Sequence, residues 1–224
     1  MPTPSVQFAT IASLIVQFIT GLIGSYGLTL PIPTKDAILK QVLGLEMLVQ
    51  GIEFIFYFTF LGAPNILTLT QQRYHDWFLS TPVMLFTASL YFFYVNFMEN
   101  GQVDTDITTF IDDNKSTIAL FIILNALMLL FGYLGELGLM DKMLAFWLGT
   151  AALVGSFGTV YEHFAKFGPE TKRLFWIMFG IWALYGFAFL MGPVPKNISY
   201  TALDLVAKNF FGLFLTYKLA QKVV

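Results

Sequence analysis

A lysine stands where a charge is hard to keep: Lys208 lies inside "ALDLVAKNFFGLFL", with Val206 and Ala207 before it and Phe210 and Phe211 after it. Long cationic side chains escape an apolar run only near a helix end, and Lys208 is well over two turns from Lys218. A desolvated amine among aromatics suits attack on an aldehyde to form a Schiff base. Asp204, four residues earlier on the same helical face, is the nearest compensating charge in sequence. Four further ionisable groups sit in other apolar runs: Glu46, Glu53, Arg73 and Asp76. Arg73, Asp76 and Ser80 follow i, i+3, i+7, and Glu46, Gln50, Glu53 and Tyr57 follow i, i+4, i+7, i+11. The second set makes a polar stripe about 16 Å long on one helix face. Isolated carboxyls in lipid would simply be protonated, whereas a whole polar face suggests water. Structural ion pairing between helices is the competing reading for Arg73 with Asp76 or Asp204. Aromatic residues are abundant, with 25 Phe, 10 Tyr and 4 Trp, and Trp182, Tyr185 and Phe189 recur at i, i+3, i+7. With Trp77 and Lys208 they describe a slot for a flat apolar ligand tethered at one end.

These residues need a frame, and the composition supplies one. Of 224 residues, 57% are hydrophobic and 12% charged, and the mean hydropathy is +0.71. Soluble domains carry about 25% charged residues, so the chain is expected in a membrane. The net charge of -2 offers no basic field for nucleic acid, and the absence of cysteine excludes disulfides and thiolate chemistry. No metal site is expected. Windows of about 20 apolar residues predict seven spans. They are Val6–Leu28, Ile38–Phe60, Leu67–Phe97, Ile118–Leu137, Met143–His163, Leu174–Met191 and Ala202–Leu219. "MPTPSVQF" has no basic region, so the opening run is expected to be a retained helix. No linker or repeat appears, and residues 1–224 are read as a single seven-helix domain. With the N-terminus outside, Lys35, Lys40, Lys115, Lys166, Lys172, Arg173, Lys218 and Lys222 are cytoplasmic, and only Lys142 and Lys196 lie in outside loops. The acidic loop with Asp104, Asp106, Asp112 and Asp113 is read as a solvated linker, with a cation-attracting vestibule as the alternative.

Four motifs in this order resemble one family, the microbial (type 1) rhodopsins. "RYHDWFLSTP" resembles the family's helix C, "MLLFGYLGELGLM" the helix D–E region of proteorhodopsins, "WALYGF" helix F, and "DLVAKNFFG" helix G. The resemblance implies an all-α seven-helix membrane protein that is not an enzyme. It implies all-trans retinal bound covalently to Lys208 as a Schiff base, with Asp76 and Asp204 as counterion and Arg73 balancing their charge. It further implies a pocket of Tyr57, Trp77, Thr81, Met84, Met128, Gly132, Phe146, Trp182, Tyr185 and Phe189. Met84 stands where proteorhodopsins set colour, Gly186 where many relatives have proline, and Phe189 where many have tryptophan.

Function within the family turns on a few positions. The helix C proton-donor position holds Thr87, which cannot give up a proton at physiological pH, and one outer release position holds Lys196. Glu53 and Asn209 fall where channel-type rhodopsins carry glutamate and asparagine, and Ser13 is read as the third member of a hydrogen-bonded gate. Glu46 and Gln50 continue the ion path, and Thr81 with Asn125 forms the link between helices C and D. "LVQGIEFIFY" with "AKNFFG" resembles rhodopsins of giant viruses, in particular the group of light-gated cation channels. The expected function is therefore a light-gated channel for monovalent cations. A weak outward proton pump using Asp76 and Glu46, or a photosensor, is the alternative. The expected setting is a lipid bilayer, in the cell membrane of the host or organism, with further copies of the chain in a homo-oligomer as a candidate partner.

Overall fold

The computed structural model describes residues 2–101 and 106–223. Its helices are α1 (Pro4–Thr29), α2 (Ala37–Leu61), α3 (Ile66–Glu99), α4 (Ile107–Glu136), α5 (Lys142–Val160) and α6 (Pro169–Leu190). A π turn, Tyr161–Ala165, prolongs α5. The last span joins α7 (Pro193–Asp204) to α8 (Phe210–Ala220) through a second π turn, Leu205–Asn209. Seven spans are long and apolar enough to cross a membrane, and no strand occurs among the described residues. Seven being odd, the chain's two termini emerge at opposite ends of the bundle, here the N-terminal and C-terminal ends.

Local chemistry sets the helix starts. Pro4, Pro169 and Pro193 occupy first-turn positions, where a missing N–H costs nothing. Asn65 caps α3 by accepting from Thr68 N at 2.9 Å, and Asp141 caps α5 by accepting from Met143 N and Leu144 N. Gly138, at φ 70°, makes the left-handed turn between α4 and α5 that a side chain would resist. Each span packs on the next, and the seventh returns to α1 and α2 and closes the ring. Because lipid tails are as apolar as leucine, burial alone does not hold such helices together. Close packing and inter-helix hydrogen bonds do.

Two elements differ from the expectation. The helix predicted from Ile118 begins at Ile107, because Asp106 accepts from Thr109 N at 2.7 Å and Phe110 is buried beside Phe86, Phe93 and Phe164. Asp112 and Asp113 are therefore on the first turns of α4, exposed, with Asp112 2.8 Å from Lys115. Asp104 lies outside the described residues. Similarly, the segment around Lys196, expected as an outside loop, is helix, since only two residues separate the end of α6 from Pro193, which starts α7. Lys196 is thus no loop cation. It is buried and paired with Glu136 at 2.5 Å, joining α7 to α4.

Candidate functional site

Four of the interior charges, two from α3 and two from the seventh span, meet at one level. Lys208 Nζ lies 2.7 Å from Asp76 Oδ2 and 3.9 Å from Asp204 Oδ1, so it donates to the first and only faces the second. All three side chains are essentially inaccessible. The two carboxylates differ in their surroundings. Asp204 accepts from Tyr57 at 2.8 Å, Tyr185 at 2.8 Å, Trp77 Nε1 at 3.0 Å and Arg73 at 3.2 Å. Asp76 accepts from Lys208 and its Oδ1 has no partner. One acid is held on both oxygens, and the other keeps an oxygen free.

Arg73 is fixed as tightly as Asp204. Beside that carboxylate it reaches Tyr57 at 3.0 Å, Asn197 Oδ1 at 3.0 Å, the Asn197 carbonyl at 3.3 Å and Thr201 Oγ1 at 2.7 Å. The rings of Tyr57 and Phe60 lie under its guanidinium. Two cations and two carboxylates make this level neutral, which is how charge survives at membrane depth. Asn197 and Thr201 are absent from the sequence expectation because their segment was read as a loop or as helix end. Their spacing of four on a helix is the signal that would have found them.

Beside Lys208 runs an elongated cavity that opens between helices. Trp77, Thr81, Met84, Met128, Gly132, Phe146, Trp182, Tyr185 and Phe189 all line it, as expected from sequence, and so does Gly186. Tyr57 does not: its hydroxyl is spent on Asp204 and Arg73, which holds its ring in the charged cluster beneath. At Gly132 a Cβ would sit 2.8 Å from the Tyr74 hydroxyl, so a side chain there would push that ring aside. At Gly186 the corresponding gap to Phe146 is 3.4 Å. The cavity is apolar along its length and polar at the Lys208–Asp204 end. Its residues thus fit an elongated apolar aldehyde held by one amine. Thr81 accepts from Asn125 Nδ2 at 2.8 Å, tying α3 to α4 at the wall of the cavity.

On the other side of Lys208, toward the C-terminal end, lies a second polar set. Asn209 Nδ2 donates to Glu53 Oε2 at 3.2 Å, and Asn209 Oδ1 accepts from Thr20 Oγ1 at 2.5 Å. This junction ties α1, α2 and the seventh span. Ser13 was expected in it, but Ser13 accepts from Gln17 within its own helix and no hydrogen bond joins it to Glu53 or Asn209. Ser13 and Thr20 are seven residues apart, about 10 Å along the helix axis, and only Thr20 is level with Asn209. Gln50 packs against Gly212, and Glu46 accepts from Thr87. Both polar ends of Gln50, together with Glu46 Oε2, Glu53 Oε1 and Gln17 Oε1, are buried with unused hydrogen-bonding capacity. The stripe read from sequence is therefore inward-facing.

Farther along, two carboxylate–tyrosine–lysine sets close the C-terminal end. Glu170 accepts from Tyr91 at 2.5 Å and pairs with Lys218 at 2.8 Å, and Asp36 accepts from Tyr94 and lies 3.5 Å from Lys222. The spacings Tyr91–Tyr94 and Lys218–Lys222 each keep one helix face.

Comparison with known proteins agrees with this geometry. The profile of the family described as "Bacteriorhodopsin-like protein" matches residues 7–222. No curated protein matches the sequence significantly. Among solved structures, viral rhodopsin OLPVRII superposes with a TM-score of 0.83 at 25% identity, over 98% of this chain and 99% of that one. A blue light-absorbing proteorhodopsin from Med12 gives 0.74 at 19% identity, over 97% of each chain. Xanthorhodopsin, a light-driven ion pump with dual chromophore, gives 0.71 at 17% identity, over 98% of this chain and 96% of that one. With nearly its whole length matched, the chain belongs to the bacteriorhodopsin-like family.

Proposed function

We propose that this protein is a retinal-bound, light-gated channel for monovalent cations. Retinal carried on Lys208 would supply absorption of visible light and a change of shape inside the slot. The chain's own residues do the rest. Trp77, Met84, Trp182 and Phe189 confine an apolar ligand and keep water from Lys208. Asp76, at 2.7 Å with one oxygen free, is the group placed to take a proton from the Lys208 nitrogen. Asp204, engaged by four donors, stays where it is and preserves the field of Arg73.

The observation that carries the channel reading is the Thr20–Asn209–Glu53 junction. Asn209 directly follows Lys208 inside a π turn, a geometry concentrated at functional sites. Displacement of the Lys208 backbone therefore moves Asn209 and strains both of its hydrogen bonds. Once they part, water enters, and cations follow Glu53, Gln50 and Glu46 toward the C-terminal end. Carboxylates along the path favour cations over anions. We take the N-terminus as outside, since the cations at the C-terminal end outnumber those at the other, more so with Lys196 buried. The protein would act in a cell membrane of the host or organism.

The second reading, an outward proton pump, has one observation in its favour. Glu46 is hydrogen-bonded to Thr87, so a carboxyl from α2 reaches the position on α3 where pumps of this family carry their donor. Voltage-clamp of cells expressing the protein with all-trans retinal separates the two. A channel gives photocurrents that reverse near a cation equilibrium potential, with reduced amplitude or altered selectivity in Glu53→Gln. Currents of one sign at every voltage refute it. Lys208→Ala should abolish the visible band and the current together.

A further inference from the structure

A second cavity opens toward the membrane between α6 and the seventh span. Leu174, Ile177, Met178 and Ile181 of α6 face Phe210 and Phe214 of α8 across an open apolar groove. The α6 positions follow i, i+3, i+4, i+7, which makes a straight apolar wall about 10 Å long. Trp182 and Ala207 form the inner end and also line the slot beside Lys208, so one indole separates the two spaces. Ile177 and Phe210 are more than half exposed at the outer side, at 53% and 55%. This mouth faces acyl chains, not water.

The end of the groove is charged. Arg173 stands one turn before Ile177 on the same helix face, with Lys172 beside it. Both are exposed, and neither enters an ion pair among the described residues. The neighbouring carboxylate, Glu170, is already engaged by Lys218 at 2.8 Å and Tyr91 at 2.5 Å. The rim is thus net positive where α6 meets the C-terminal membrane surface. Basic positions at the edge of apolar clefts between spans recognise anionic headgroups.

We infer that this groove is a binding site for one anionic phospholipid, its phosphate on Arg173 and one acyl chain reaching Trp182. The inference is independent of what the protein transports. Native mass spectrometry of the retinal-loaded protein, released from vesicles with equal phosphatidylglycerol and phosphatidylcholine, tests it. One phosphatidylglycerol should be retained per chain in preference to phosphatidylcholine. Arg173→Gln should lower that retention about fivefold, the factor one basic residue represents at a membrane surface. Ile177→Trp, which fills the groove from its lipid-facing side, should abolish retention of either lipid.

A second measurement does not depend on those variants. Protein carrying Trp147→Phe and Trp176→Phe keeps Trp77 and Trp182, of which only Trp182 lines the groove, and phosphatidylglycerol with dibrominated chains should quench part of its fluorescence relative to the unbrominated lipid. Equal retention of the two headgroups, indifference to both groove variants, or absence of quenching would each overturn the site. Self-association abolished by Ile177→Trp would overturn it too, by showing that a second copy fills the groove.

Discussion

Thr20→Val offers a direct test of the gate. The substitution keeps the shape of the side chain and removes the hydroxyl that donates to Asn209 Oδ1 at 2.5 Å. A buried carbonyl left without its donor costs about 1–3 kcal/mol, and about 1.4 kcal/mol is tenfold in an equilibrium. The single hydroxyl proton has competitors in the carbonyls of Val16 at 3.0 Å and Gln17 at 3.1 Å, so the lower end of the range applies. The closed junction should therefore weaken about fivefold to tenfold relative to an open one in which water solvates Asn209. Photocurrents recorded in whole cells should close more slowly after the light is turned off, with a raised leak in darkness. The visible spectrum should hold, because Thr20 is not part of the slot. Ser13→Ala is the control: its bond is to Gln17 in the same helix, and its closing rate should stay within about twofold of wild type. Closing unchanged in Thr20→Val, or equally slowed in Ser13→Ala, would refute the junction as the gate.

Other consequences are testable by stability. Lys196→Met leaves Glu136 as a nearly inaccessible unpaired carboxylate and should cost about 3–5 kcal/mol in thermal bleaching, most of it recovered when Glu136→Gln is added. Thr81→Val removes the acceptor of Asn125 Nδ2, and each kcal/mol lost should lower the bleaching midpoint by about 2–4 °C. The Asp106 carboxylate is held below its usual range by the backbone N–H of Thr109. Its capping contribution is then complete above the free value of about 3.9 and lost as pH falls through the lower folded value. Hydrogen exchange in the first turn of α4 should rise in that acid window, and Asp106→Asn, itself a good cap, should remove the pH dependence.

Seven spans, the inward polar face of α2, and the grouping of Lys208 with Asp76, Asp204 and Arg73 could all be read from the amino-acid order. Lipid imposes that readability: a charge at membrane depth must face inward, and helical spacing states which charges share a face. The nine expected residues that line the slot were implied by the family motifs. Tertiary packing alone decided the rest. Residues on separate helices meet at a height set by helix tilt and by the π turn at Leu205–Asn209, and neither is written in the spacing. Hence Thr20 and not Ser13 meets Asn209, Tyr57 joins the charged cluster and not the slot, and Lys196 finds Glu136 inside the bundle.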